Sequence, residues 1–307
     1  MTKLWHKQGA SGLHPLIESY TVGDDLQNDR ILFPYDLAAS RAHAAMLHRI
    51  GILSATELKQ LQGGLDELLQ LWEEGKVVIR AQDEDGHTVI ENHLIERLGE
   101  AGKKIHTGRS RNDQSLVALR LYLKEYSGAL VLQVRELAEA FLDKAEASTD
   151  IPLPGYSHTQ QAMLSSVAHW YCSFAESLLD DADVLGAVVR QVDKNPLGSA
   201  AGFGVALPLD REFTCELMGF SGLQLNSLYC QGGRGKLESL YLEALVQVML
   251  TLGRFAQDLL WFTAQETGYF RVDDTLTTGS SIMPQKRNLD GLEILRGQVS
   301  TVISHQH

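Results

Sequence analysis

The chain has 307 residues, 44% hydrophobic and 21% charged, with a formal net charge of -12, a composition ordinary for a soluble globular protein with room for one large domain or two. The acidic balance argues against sequence-independent nucleic-acid binding, because no global positive field draws phosphates, but it leaves room for an anionic small molecule held by a local cluster of cations. Three widely spaced cysteines, Cys172, Cys215 and Cys230, form no CxxC and read as reduced core residues of a cytoplasmic protein, and residues Met1 to Lys7 lack the apolar run of a signal peptide.

Apolar residues at three- and four-residue spacing predict amphipathic helices over 29–53, 55–75 and 87–101. Between the second and third, Val77-Val78-Ile79 reads either as a short strand or as a connector. Longer helices are predicted over 113–147, 160–194 and 235–265. The most apolar window, Leu240 to Phe262, is interrupted by Glu243, Gln247, Arg254 and Asp258, which marks a buried helix with one wet stripe rather than a membrane span. A helix of roughly 30 residues spans about 45 Å, and its apolar face needs partners, so a bundle shared between chains is expected. The seven prolines read as marks of segment edges. The fold class is therefore all-α: a small helical N-terminal domain, 1–105, and a central long-helix bundle domain, 106–307. A last helix starts near Asp290 and runs about four turns to His307, so the C-terminal part of such a bundle is expected to be missing.

Three segments between the helices concentrate catalytic residue types. The first, Lys103 to Gln114, holds His106-Thr107-Gly108-Arg109-Ser110-Arg111-Asn112-Asp113. Arginine forks and a helix N-terminus suit a dicarboxylate; the plainer reading is a charged linker with Asn112 or Asp113 capping a helix. The second, Pro152 to Gln160, places His158 between hydroxyls at a predicted helix start, where it is either an acid/base group or a structural histidine. The third, Thr277 to Asn288, contains Gly279-Ser280-Ser281-Ile282-Met283-Pro284-Gln285-Lys286-Arg287-Asn288. Gly279 permits unusual backbone angles and a hinge, Ser280 reads as a nucleophile or base, Lys286 as a carboxylate holder or a cation that depresses the pKa of a neighbouring hydroxyl, and Asn288 as a helix cap or substrate ligand; the plainer reading is a surface loop. Asn195 to Gly204 is Gly-rich without a GxGxxG pattern and reads as a tight connection. His305 and His307 alone do not make a metal site.

Taken together, the three segments resemble the signature regions of the fumarase/aspartase superfamily. Gly-Ser-Ser-x-Met-Pro-x-Lys-x-Asn at 279–288 is its mark, and residues 106–113 are similar to the form found in the argininosuccinate lyase branch. Pro154-Gly155-Tyr156-Ser157-His158 resembles that branch's Pro-Gly-Tyr-Thr-His, and the likeness runs from about Leu4-Trp5 to Gly297. The resemblance implies a homotetramer whose active sites combine the three loops from three subunits. It also implies reversible cleavage of argininosuccinate to arginine and fumarate, with no cofactor and no metal. On that pattern Ser280 removes the Cβ proton and Lys286 and Asn288 bind the carboxylate end. His158 serves the leaving nitrogen, oriented by Glu293, while Arg111, Asn112 and Ser157, with Ser110 and Arg109, fix the substrate. Which of His158 and Ser280 is acid and which is base stays open.

Two departures from the pattern stand out. Leu289 replaces the usual proline after Asn288, and Gly291 lies in the same turn, which together loosen the junction into the last helix. Asp25 aligns where the family often places a substrate-binding serine. Two other readings remain: a superfamily lyase acting on adenylosuccinate, aspartate or malate, and an inactive fragment or structural relative like the lens crystallins. The intact Ser280, Lys286, Asn288 and His158 argue against a structural relative, while this 307-residue chain by itself is expected to be inactive or poorly soluble because bundle surface is exposed.

Overall fold

Ser54 illustrates how local sequence sets a helix boundary. Its hydroxyl accepts the Glu57 N–H at 3.2 Å while the Glu57 carboxylate accepts the Ser54 N–H at 2.9 Å, a reciprocal capping box. In the computed structural model, which describes Tyr20, residues 25–80, Asp83 and residues 85–307, helix α1 (Asp25–Arg49) precedes this cap and α2 (Ala55–Glu73) follows it. Next come α3 (Gly86–Leu98), the single turn α4 (Glu100–Lys103) and a 3-10 turn, Lys104–His106. The long helix α5 covers Arg111–Glu146.

The chain packs as two compact units, one made of Met1–Glu125 with Val192–Arg234 and the other of Tyr126–Gln191 with Gly235–His307. These units cut the chain differently from the boundary expected near residue 105, because residues 192–234 return to pack with the first helices. In the first unit Phe33, Leu37 and Leu47 of α1, Leu61, Leu65 and Leu68 of α2, and Ile90 and Leu94 of α3 share one core. The rings of Phe33 and Trp72 lie 4.7 Å apart. A second small core joins Ala39 and Val117 to Leu197, Cys215 and Phe220, where α7 (Arg211–Leu217) and α8 (Ser227–Gly232) lie nearby in sequence. At Gly102 an added Cβ would sit 2.2 Å from the Leu94 carbonyl oxygen, so α4 abuts the backbone of α3 at a distance only glycine allows.

The second unit contains the rest of α5, a hairpin of β1 (Pro152–Ser157) and β2 (Gln160–Ser166), α6 (Val167–Val192) and α9 (Lys236–Phe262). It ends with a short ribbon, β3 (Thr278–Gly279) paired with β4 (Arg287–Asn288), and helix α10 (Asp290–Gln306). Val134, Ala138 and Phe141 pack on Phe174, Leu178 and Ala182 of α6 and Val248 of α9. Trp170, half-buried, stacks on Phe255 at 5.4 Å and donates its indole N–H to Asp258 at 3.0 Å, a polar partner for the ring's one donor. Among the described residues no helix is long and apolar enough to cross a membrane.

Several expectations change. Val77-Val78-Ile79 is a connector without a strand partner in the described residues. The helix expected from 160 begins at Val167, because Gln160–Ser166 instead pairs antiparallel with β1. Its start is marked by Ser166, whose hydroxyl accepts the His169 N–H at 3.1 Å. Pro34 lies inside α1 rather than at an edge; burial of the flanking Phe33 and Leu37 offsets the hydrogen bond it forfeits. Cys215 and Cys230 are buried but Cys172 is exposed, so only two of the three belong to a core. The expected substrate position at Asp25 lies outside the described side chains. Because a Cβ at residue 102 meets backbone rather than a movable side chain, Gly102→Ala is expected to destabilise the fold by ~2 kcal/mol, read as a lowered midpoint in urea unfolding; an unchanged midpoint refutes the close approach.

Candidate active site

The first cationic segment is built on Asp113, which is fully buried. One carboxylate oxygen accepts the Ser110 N–H at 2.9 Å, and the other accepts the N–H groups of Gly198 at 3.0 Å and Ala200 at 2.9 Å. Ser110 precedes the first helical residue of α5, and its hydroxyl accepts the Asn112 N–H at 3.3 Å. The helix is therefore capped by the Ser110–Asp113 pair, a short-armed version of the capping box, rather than by Asn112 or Asp113 at the cap position. Asn195 to Gly204 is indeed a tight connection, and it is tied to the base of the segment through Asp113.

The segment borders a cleft of about 740 Å³ lined by Glu91, Ile95, Lys103, His106, Arg109, Ser110, Arg111 and Asn112. Asp85 serves two purposes there. One oxygen caps α3 by accepting the Thr88 N–H at 2.8 Å, and the other lies 3.3 Å from Arg111 Nε. The Arg111 Nη2 also donates to the Thr88 hydroxyl at 2.9 Å, so its fork is aimed by two groups at the start of one helix. Asn112 is held at both ends, its Nδ2 donating to Ser110 and its Oδ1 accepting from Arg234, each at 3.3 Å. His106 Nδ1 lies 2.6 Å from the buried Glu91 carboxylate. Arg109 turns inward: it is buried, and its Nη1 donates to the Ser40 hydroxyl at 2.9 Å. Burial lowers the Arg109 pKa against the opposing pull of Glu91, Asp113 and Asp36, yet an arginine remains charged.

At the start of α3, His87 lies 3.1 Å from Asp36 and both are buried. Burial opposes the imidazolium, but the Asp36 charge and hydrogen bond, with Asp85 and Asp29, outweigh it and raise the His87 pKa above its ordinary value. Asp29 accepts the Gly86 N–H at 2.7 Å, and its own pKa is raised by burial.

In the second unit Ser157 and His158 are exposed at the end of β1. His158 lies not at a helix start but in the two-residue turn of the hairpin, where Ser157 pairs with Gln160. Both turn residues have positive φ, 53° at His158 and 60° at Thr159, as a tight hairpin with right-handed twist demands. Side chains rarely accept that region, at a cost of order 1 kcal/mol or more per residue, so the imidazole is presented at a strained tip.

The third segment forms the loop of the β3–β4 ribbon, with Thr278 paired to Asn288 and Gly279 to Arg287. Gly279 is thus in extended, paired backbone and takes no positive φ, so the unusual backbone angle expected there is not adopted. Ser280, half-buried, accepts the N–H groups of Ile282 at 3.3 Å and Met283 at 3.2 Å, which orients its oxygen into the loop. Lys286 is exposed. Asn288 lies in β4 and does not cap α10; Leu289 occupies the cap position with no side-chain hydrogen bond. Asp290 is instead anchored by the Thr278 hydroxyl at 2.6 Å. Glu293 is exposed on the first turn of α10, and among the described residues no hydrogen bond or ion pair joins it to His158.

The structure thus gathers Arg109, Ser110, Arg111 and Asn112 around one cleft, and Ser280, Lys286 and Asn288 in one ribbon loop. Ser157 and His158 stand on a separate hairpin. Sequence reasoning missed Glu91, Asp85, Thr88, Arg234 and the buried Asp36, Ser40, His43 and His87. The trio on α1 was visible as polar residues at i, i+4 and i+7 on an otherwise apolar helix face; Arg234 carries no local mark.

A family model described as lyase matches residues 21–304, and the chain belongs to that lyase family. More particularly, it is 48% identical over 299 residues to an argininosuccinate lyase of Stenotrophomonas maltophilia, covering 97% of this chain and 69% of that protein. The figures for an argininosuccinate lyase of Xanthomonas axonopodis pv. citri are the same. The chain therefore belongs to the argininosuccinate lyases, a carbon–nitrogen lyase family. Among solved structures it resembles EDDS lyase in complex with formate, with a TM-score of 0.84 at 26% identity, over 96% of this chain and 58% of that one. A fumarate lyase:delta crystallin from Brucella melitensis shares the fold, with a TM-score of 0.80 at 19% identity, over 96% of this chain and 70% of that one. The chain therefore spans 69% of the length of these argininosuccinate lyases and 58% and 70% of the two solved structures, and the expected all-α bundle of this superfamily is the fold observed.

Removing the Asp113 carboxylate leaves three N–H groups without this acceptor, that of Ala200 buried and those of Ser110 and Gly198 half-buried. Asp113→Ala is expected to cost about 3 kcal/mol or more and to speed amide exchange at Ser110, Gly198 and Ala200 together; exchange confined to one of them refutes the shared anchor. A raised His87 pKa has a definite sign. The native state holds the proton more tightly than the unfolded chain, so this stabilisation is complete below about pH 6.5 and fades as pH rises through the raised native value. The unfolding midpoint of the parent is expected to decline across that window while His87→Gln shows a flatter profile; parallel profiles refute the assignment.

Proposed function

We propose that this chain acts as an argininosuccinate lyase, splitting argininosuccinate reversibly into arginine and fumarate. The observation that carries the reading is the pair of arranged segments. Arg111 is aimed by Asp85 and Thr88 beside Ser110 and Asn112 at an open cleft, and Ser280 shares its loop with Lys286 and Asn288. Both arrangements suit a substrate with carboxylates at each end.

In the proposed reaction, Ser280 takes the proton from the succinyl Cβ. The electron pair left behind is delocalised into the neighbouring carboxylate, where Lys286 and Asn288 stabilise the added charge. That pair then returns to form the Cα–Cβ double bond as the Cα–N bond breaks. The departing guanidino nitrogen takes its proton from His158, which Glu293 orients. A serine is a weak base unless cations lower its pKa, and the neighbouring Lys286 meets that need. Arg111, Asn112 and Ser157 fix the substrate with Ser110, and the inward Arg109 supplies positive potential at the cleft wall.

We further propose a cytoplasmic homotetramer in which each site draws its three loops from different copies. Leu132, Leu142, Leu179, Val184, Leu240 and Ile294 are exposed along the long helices, and rows of such side chains favour burial against further helices. Fumarate released from argininosuccinate is followed by its ultraviolet absorbance. Turnover by the full-length gene product is expected, with a loss of about 10²–10⁴-fold in Ser280→Ala and in His158→Asn. Absence of fumarate, or variants as fast as the parent, overturns the reading.

A further inference from the structure

Helix α1 carries three polar side chains that the proposed reaction does not use. Asp36, Ser40 and His43 share one helix face and are 4%, 2% and 0% exposed. Polar groups buried on an otherwise apolar face destabilise the fold unless each is bonded, so their partners show what the stripe is for. Asp36 meets His87 at the start of α3. The other two both reach the cleft segment. Ser40 accepts from Arg109 Nη1 at 2.9 Å, and His43 Nε2 lies 2.9 Å from the Thr107 carbonyl oxygen.

These two contacts flank Gly108, whose φ is +75°. A glycine at that position lets the chain turn but leaves it loose. A carbonyl oxygen only accepts, so the His43 contact fixes the ring proton on Nε2, and Nδ1 has no partner among the described residues. Burial, followed by the charge of Arg109, lowers the His43 pKa well below its ordinary value. The ring is therefore a neutral donor in the working pH range. A leucine or methionine would fill the same space, but it would leave the Thr107 carbonyl unpaired.

We propose that Ser40 and His43 are positioning residues that hold the 107–110 turn from beneath. Ser110, Arg111 and Asn112 then meet the substrate carboxylates without first being ordered. This rests on the reading of that segment as substrate-binding. Order established before binding raises affinity because the entropy cost is already met.

The test measures amide exchange at Thr107, Arg109 and Ser110 in the parent, His43→Leu, His43→Gln and Ser40→Ala, with steady-state kinetics on argininosuccinate. The turn amides are expected to exchange about tenfold faster in His43→Leu and Ser40→Ala, the loss of one hydrogen bond, while α2 amides keep the parent rate. His43→Gln, which retains a side-chain N–H donor, is expected to recover most of the protection. KM is expected to rise about tenfold with kcat nearly unchanged. Parent-like exchange of the turn in both variants overturns the proposal, as does equal acceleration in α2 or a fall in kcat at constant KM. If His43→Leu fails to fold, Ser40→Ala and His43→Gln decide by the same criteria. If the parent does not turn over argininosuccinate, the functional reading fails, and the exchange rates still decide whether these residues order the turn.

Discussion

The first unit depends on one buried carboxylate. Asp113 draws three backbone N–H groups from two separate segments onto its oxygens. Without it, the Asn195 to Gly204 connection would lose the acceptor for its Gly198 and buried Ala200 N–H groups, and the base of the cleft the acceptor for the Ser110 N–H. A charged acceptor is well suited to this task, since bonds to an ionised group are roughly twice as strong as neutral ones. Because the acceptor lies in the first turn of α5, the same bonds that close the fold also set where the helix begins and where Arg111 and Asn112 emerge from it.

From that anchor the polar groups spread in a connected set. Asp85 both caps α3 and aims Arg111, and the stripe on α1 takes up Arg109, Thr107 and His87. Buried polar networks of this kind stabilise only when nearly every member is paired. The cleft segment is held by groups at two helix starts, those of α3 and α5, and by the stripe on α1. The ribbon segment is built differently. Ser280 is held by two N–H groups of its own loop and Asp290 by the Thr278 hydroxyl, all of them local bonds near the surface. The α10 junction, with Leu289 uncapped, depends on those bonds and on packing against α9, where a Cβ on Gly253 would come within 2.9 Å of Val299.

His158 and Thr159 show how tertiary pairing overrides local preference. Neither residue favours positive φ, and Asn-Gly would make the turn at less strain. The β1–β2 ladder and the contact of Tyr156 with Tyr269 at 2.5 Å between hydroxyls hold the hairpin. The strain is concentrated at the residue to which the proposed chemistry assigns a proton.

The sequence by itself determined the helical class and the positions of the long helices, because apolar spacing near 3.6 residues is a local property that burial then rewards. It also determined which three segments hold reactive residue types, since Arg, His, Ser and Lys clusters are legible without coordinates. Only the tertiary structure decided that residues 192–234 join the first helices and that Gln160–Ser166 is a strand. It alone showed that Arg109 faces inward while Arg111 faces the cleft, and that Ser40 and His43 serve a segment more than 60 residues away, the separations being 69 for Ser40 and Arg109 and 64 for His43 and Thr107. Those outcomes depend on long-range pairing of buried polar groups, and such pairing leaves no periodic trace in the chain.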